Sequence, residues 1–284
     1  MGAGFLAALR GEIFIARRSR GTAALLLLPM ALAAGRVGLG KLHAMAREAA
    51  AAARGLAAGA SAGNAYGPLA DGLGAGLSIG LLILLALAAA SVAGDRDLGT
   101  IRIPLTLRAS RSGLLLAKLA ALCLLGIFLS AAVLGASWAA SAILYDFGPV
   151  VEDGYEIFPA GEIRREIALG LAGAAVAVPA VAALGLLVSV AARSAAEAVG
   201  IALPLVLAFD VFEGLLGRSA DLVFLSYPPT LIDRSYLAEA AKLARGFSDA
   251  GWTDGRLILN FAVPIPEAAL LVLAALWIFG RRKL

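Results

Sequence analysis

Residues 73–94 read LGAGLSIGLLILLALAAASVAG, and residues 95–118 follow as DRDLGTIRIPLTLRASRSGLLLAK. The first stretch carries no charge, and a helix of about twenty apolar residues crosses the roughly 30 Å hydrocarbon core of a bilayer. The second is a charged island leading into another long apolar run. Similar runs recur at 22–39, 114–140, 167–192, 198–217 and 261–280. The expected fold is therefore an all-α integral membrane protein with six transmembrane helices, forming a single domain over 1–284. Composition agrees: hydrophobic residues make up 61% against roughly 45–50% in soluble domains, and charged residues 15% against roughly 25%.

An even number of spans puts both termini on one side, and basic residues choose that side. The termini, the island and the 193–197 turn together hold thirteen basic and four acidic residues, against eleven and sixteen elsewhere. Both termini and the island are expected in the cytoplasm. Arg outnumbers Lys twenty to four in an Ala- and Gly-rich chain, which suggests a GC-rich bacterial genome and hence the bacterial plasma (inner) membrane.

Ahead of the first span, Phe5, Leu6, Leu9, Ile13 and Ala16 share one helical face among basic residues, so 1–20 is expected to lie as an interfacial helix on membrane lipid. Residue 1 is read as the mature start, since no convincing cleavage site follows the first run. The outer segments are an Ala-rich stretch from Lys41 to Asp71, an acidic stretch from Asp146 to Glu166, and a long outer-face segment over 218–260. In the last of these Ser235 is expected to cap a short helix running to Arg245 and stopping at Gly246.

The island is too short to be a catalytic domain. Gly99 suits a tight turn or a helix edge, Pro104 interrupts any longer helix, and Ser110 can cap the helix that continues through Lys118. Asp95-Arg96-Asp97, Gly99-Thr100-Ile101, Ser110-Arg111 and Lys118 resemble, in type and spacing, the ABC-2 type permeases of ATP-binding-cassette transporters. That family commonly has Pro two positions before the Ser, where this chain has Arg108. The resemblance implies that 95–118 is the coupling segment on which a separate ABC ATPase (nucleotide-binding) subunit docks, with Asp95, Arg96, Asp97, Gly99, Thr100, Ser110 and Arg111 as its coupling residues. It also implies a second permease copy or paralogue, export as the usual direction, and ATP and Mg bound in the partner ATPase. A bare positive-inside topology signal is the competing reading of the same charges.

No Gly-x-x-x-x-Gly-Lys-Ser/Thr loop occurs, so this chain offers no P-loop site for ATP, and it is not expected to be an enzyme. Gly72 to Gly76 suits close helix packing better than a nucleotide turn. One histidine, His43, and one cysteine, Cys123, leave no multi-His metal site and no intramolecular disulfide. Hydrolase signatures are absent, and nothing points to nucleic acid.

At about 1.5 Å per residue, Arg36, Asp210, Glu213 and Glu267 all reach the outer half of the bilayer. Two arrangements are open. Arg36 could pair with one or more of the carboxylates at the outer end of a pathway, since an unpaired charge there costs a few kcal/mol. Alternatively the spans end early and these residues lie in outer loops or short re-entrant helices. The alternative function, an ion- or proton-coupled secondary carrier, would use the same carboxylates, although no inverted repeat of spans is visible. A periplasmic partner on 218–260 is a further expectation.

Overall fold

The computed structural model describes residues 2–18, 20–54, 64–99, 110–152, 155–247 and 252–281. Five of the six apolar runs fold as helices longer than the spans expected from hydropathy, and the sixth, 261–280, is divided. In chain order they are α1 (Gly2–Arg18), α2 (Arg20–Ala53), α3 (Tyr66–Asp97), α4 (Arg111–Leu144), α5 (Ala160–Ala191), α6 (Ala195–Leu216), α7 (Tyr236–Leu243), α8 (Asp254–Ala262) and α9 (Pro264–Arg281). Strands β1 (Val150–Glu152) and β2 (Tyr155–Phe158) add a small antiparallel hairpin between α4 and α5.

Among the described residues five helical stretches are long and apolar enough to cross a membrane: Tyr66–Asp97, Arg111–Leu144, Ala160–Ala191, Ala195–Leu222 and Asp254–Arg281. The protein is thus a predominantly helical, multi-pass membrane protein. The first expected span lies in α2, whose helix runs on through Arg36, Lys41 and Arg47 to Ala53, as the Ala-rich sequence favours. The last two helices are parted at Val263, immediately before Pro264. Proline lacks the N–H that would continue the ladder and is well tolerated at the start of the next helix.

Helices α3 and α5 form the centre: 61% of the most apolar window of each is buried, against 28% for α4 and 17% for α6. One apolar cluster joins Leu84, Leu85, Ala88 and Val92 of α3 to Leu114 and Leu115 of α4, Val178, Leu186 and Val190 of α5, and Phe279 of α9. A second lies toward the other end, where Leu69, Leu73 and Leu77 meet Val133, Ile163, Leu237 and Ala241. Glycine permits the close crossings. A Cβ at Gly185 would sit 2.5 Å from the Ala88 Cβ and 2.9 Å from the Leu85 carbonyl oxygen, so α3 and α5 touch backbone to backbone there.

Helix α1 carries Phe5, Leu6, Leu9, Ile13 and Ala16, the residues of the expected lipid-facing stripe. It packs against α4; Phe5, Leu9, Ile13 and Ala16 are half-buried, and Ala8 joins the core. Leu6, Phe14 and Ile15 remain exposed. Part of its apolar face thus docks on protein, and Glu12 within that face is used in the docking.

Candidate functional site

At the island end, Lys118 is the focus. Its side chain is only 5% exposed, and its Nζ lies 2.8 Å from Glu12 Oε1 and 2.8 Å from Asp95 Oδ2. A buried ammonium is tolerated only with compensating anions and satisfied hydrogens. Two carboxylates from α1 and α3 supply both, so three helices are tied at one point.

The next two residues tie α3 to two more. Arg96 donates through Nη2 to the carbonyl oxygens of Ser189 at 2.7 Å and Ala192 at 2.8 Å. These belong to the end of α5, where carbonyls lack helical partners and a cation is favoured by the helix dipole. Asp97 Oδ2 accepts from the Ala195 N–H at 2.8 Å, serving an orphan donor at the start of α6. That start is capped by its own side chains: Ser194 Oγ accepts from the Glu197 N–H, and Glu197 Oε2 accepts from the Arg193 N–H just before the cap. Beyond this knot α3 ends. Gly99 has a φ of +69°, a conformation natural to glycine, and Leu98 beside it is 77% exposed.

Where the chain re-enters the described residues, Ser110 caps α4 by accepting the Gly113 N–H at 3.0 Å. Exposed Arg111 reaches the Gly280 carbonyl oxygen at the end of α9 at 3.4 Å. The expected cap at Ser110 and turn at Gly99 are both present. Thr100, Pro104 and Arg108 lie outside the described residues.

The opposite end is organised by carboxylates that hold the 217–260 segment. Asp210, 4% exposed, accepts from Thr230 Oγ1 at 2.7 Å and from the Ile232 N–H at 3.1 Å. Glu213, one turn further along α6, faces Arg234 at 3.9 Å and Arg256 at 3.7 Å, and Arg256 also pairs with Asp221 at 3.0 Å. Glu267 accepts from the Phe224 N–H at 2.7 Å. Asp233 takes the Ser235 N–H, and burial raises its carboxyl above the usual range, opposed by that bond. An aromatic cluster closes the segment: Trp252 meets the edges of Tyr227 and Tyr236, and Arg256 stacks on it at 4.5 Å. Tyr227 donates to the Asp221 carbonyl oxygen and Tyr236 to Glu166. Burial, reinforced by Asp221, pushes the Tyr227 hydroxyl up to about 12, and burial with Glu166 also raises that of Tyr236.

Beneath this segment, α3, α5 and α6 line a narrow crevice of about 30 Å³. Its walls are Leu81, Leu82, Leu85, Val181, Leu184, Val206, Leu207 and Leu231, with Ser78, Asp210 and Thr230 as the polar groups.

A family profile described as ABC-2 family transporter protein matches residues 9–284, nearly the whole chain. The chain belongs to that family. Among curated proteins none matches it. As an ABC-2 permease it is a membrane transport component, and the family implies association with ABC ATPase subunits.

In this permease the two residue groups singled out from sequence fare differently. Asp95, Arg96, Asp97, Ser110 and Arg111 gather at one end, yet the first three are engaged with other helices of the same chain. The expected pairing of Arg36 with the deep carboxylates is corrected. Arg36 pairs with Asp71 at 3.8 Å, and Asp71 also receives Arg245 of the 217–260 segment. The physical reason is azimuth: depth along a helix says nothing of which neighbour a side chain faces, and α2 packs on α3 and α4. Asp210, Glu213 and Glu267 do share one role, but as anchors of the outer segment. Sequence reasoning missed Glu12, whose signal was a lone carboxylate in an otherwise apolar helical face. It also missed the hairpin, which Asp153-Gly154 between two β-prone runs announces.

Proposed function

We propose that this chain is the permease subunit of an ABC exporter of the bacterial inner membrane, with six spans, α2 among them, and both termini in the cytoplasm. Two copies, or this chain with a paralogue, form the pathway, while ATPase subunits binding ATP and Mg dock on the 95–111 segment. The observation that carries the reading is the Asp95–Asp97 knot. Three consecutive side chains join the end of α3 to α4, α5 and α6, so force applied at Leu98 and Gly99 reaches the centre of the bundle without slack. The exposed Leu98, Gly99, Ser110 and Arg111 are the docking surface, with Thr100 between them in sequence. Asp95, Arg96 and Asp97 transmit.

The 218–260 segment faces the periplasm and covers the pathway, and a periplasmic partner would meet it there. Family membership does not favour the ion- or proton-coupled carrier, and each of the three deep carboxylates is already engaged with the outer segment.

The test is reconstitution with the ATPase. Arg111→Glu is expected to abolish stimulation of ATP hydrolysis by the permease while the purified permease keeps its thermal transition. Full stimulation with Arg111→Glu and with Leu98→Arg would remove the 95–111 segment from the coupling role.

A further inference from the structure

Helix α1 has two unlike sides, and protein covers only one of them. At about 100° per residue, Phe5, Ala8, Leu9, Glu12, Ile13 and Ala16 form the side turned to the bundle, and all are partly buried. The other side carries Leu6, Arg10, Phe14, Ile15, Arg17 and Arg18, all exposed. Its apolar members are far from covered: Leu6 is 51%, Phe14 58% and Ile15 63% exposed. The one carboxylate of α1, Glu12, is turned to Lys118, so the exposed side holds three cations and no anion. Among the described residues no carboxylate pairs with these arginines, and Arg18 lies over the Phe14 ring at 5.0 Å.

Arginines interleaved with bare Leu, Phe and Ile suit neither water alone nor hydrocarbon alone. They suit the headgroup level of a bilayer, where apolar side chains enter the acyl boundary and guanidinium groups stay with the phosphates. The chain places this side at that level. Helix α1 ends at Arg18 and α2 starts at Arg20, where the first apolar run begins. With the termini in the cytoplasm the facing leaflet is the cytoplasmic one, whose anionic lipids attract basic segments. A zwitterionic headgroup carries its own cation and offers three arginines no net charge.

We propose that the exposed side of α1 binds anionic phospholipid of the cytoplasmic leaflet, and that lipid held there steadies the coupling segment. The link is Lys118, whose Nζ joins Glu12 of α1 to Asp95 of α3. Asp95 adjoins Arg96 and Asp97, which hold the end of α5 and the start of α6. Lipid that fixes α1 thus fixes the support behind Leu98. The binding stands on α1 alone, whereas its effect on hydrolysis rests on the ATPase-coupling reading.

The full-length permease is reconstituted in phosphatidylcholine vesicles, and immobilisation of spin-labelled phosphatidylglycerol at the protein is compared with that of spin-labelled phosphatidylcholine. The expected result is a preference for phosphatidylglycerol that weakens with salt. Combined Arg10→Gln, Arg17→Gln and Arg18→Gln should lower the preference at least about threefold, while the same three changes to Lys should keep it. Phe14→Ser with Ile15→Ser removes the apolar contacts and leaves the arginines; it should also lower the preference, and covers the case in which the Gln variant fails to fold. No preference in the parent, or full preference in a folded Gln variant, would overturn the inference. With the ATPase present, stimulation of ATP hydrolysis should rise when phosphatidylglycerol is added to the vesicles, and the Gln variant should not respond. Equal stimulation of the parent in both lipids would overturn the link to the coupling segment. Loss of ATPase binding by the Gln variant in phosphatidylcholine alone would assign the surface to the ATPase and overturn the proposal. Stimulation absent in both lipids with the lipid preference intact would count against the coupling reading and leave the lipid surface standing.

Discussion

Replacing Lys118 by Met keeps the length of the side chain and removes its charge, leaving Glu12 and Asp95 beside one another at a point where both had been 2.8 Å from the ammonium. Breaking a buried ion pair from one side costs about 3–5 kcal/mol, because the remaining charge is stranded. Here the stranded groups are 24% and 31% exposed, so water reaches them and surface-like screening lowers the cost. The expected loss is about 2–3 kcal/mol, concentrated on the docking of α1. The assay combines SDS-driven unfolding of the purified permease with thiol labelling at Ala8→Cys in a Cys123→Ala background. Ala8 packs against the core, so labelling should be slow in the parent and fast with Lys118→Met. Glu12→Gln with Asp95→Asn and Lys118→Met should recover most of the loss, because no uncompensated charge remains. A loss under about 0.5 kcal/mol with unchanged labelling, the range of an ordinary surface substitution, would refute the idea that this triad clasps α1.

Gly185→Ala should destabilise by about 1–3 kcal/mol through overpacking, and Ala88→Gly should restore only part, because the Leu85 carbonyl 2.9 Å away remains; SDS unfolding of the single and double variants measures both. Ser110→Ala should cost about 1 kcal/mol by exposing the Gly113 N–H at the start of α4, read by the same unfolding. For Asp233 the folded carboxyl titrates above its ordinary 3.8. The folded state therefore holds the proton more tightly, and this contribution to stability is full below pH 3.8 and fades as pH rises through the folded value. Asp233→Asn should flatten that part of the stability profile, and an unchanged profile would show that another group is responsible.

The helices were legible because apolar length is a one-dimensional signal: the runs at 73–94 and 114–140 lie inside α3 and α4, and 167–192 ends one residue past α5. Caps and turns were legible too, since Ser110 and Gly99 act within a few residues of themselves. The island's charges were legible as a group but not in their roles. Arg96 finds its partners 93 and 96 residues away, and a local motif holds no information about which helix end will be its neighbour. The same limit explains Arg36: its depth was readable, while its pairing with Asp71 depends on how α2 is rotated against α3. Gly72 and Gly76 are packing residues, as their small size in an apolar run suggests. A Cβ at Gly76 would lie 2.5 Å from Val133 and 2.9 Å from Ala33, where α2, α3 and α4 cross.

The central claim, that a separate ATPase drives this permease through the 95–111 segment, is tested most directly by measuring ATP hydrolysis and substrate movement together in proteoliposomes containing the permease and its co-purified ATPase. The predicted result is that transport requires ATP, persists when ion gradients are collapsed, and is lost with Leu98→Arg although both subunits remain folded. Transport by the permease alone, driven by an ion or proton gradient and indifferent to Leu98→Arg, would contradict it.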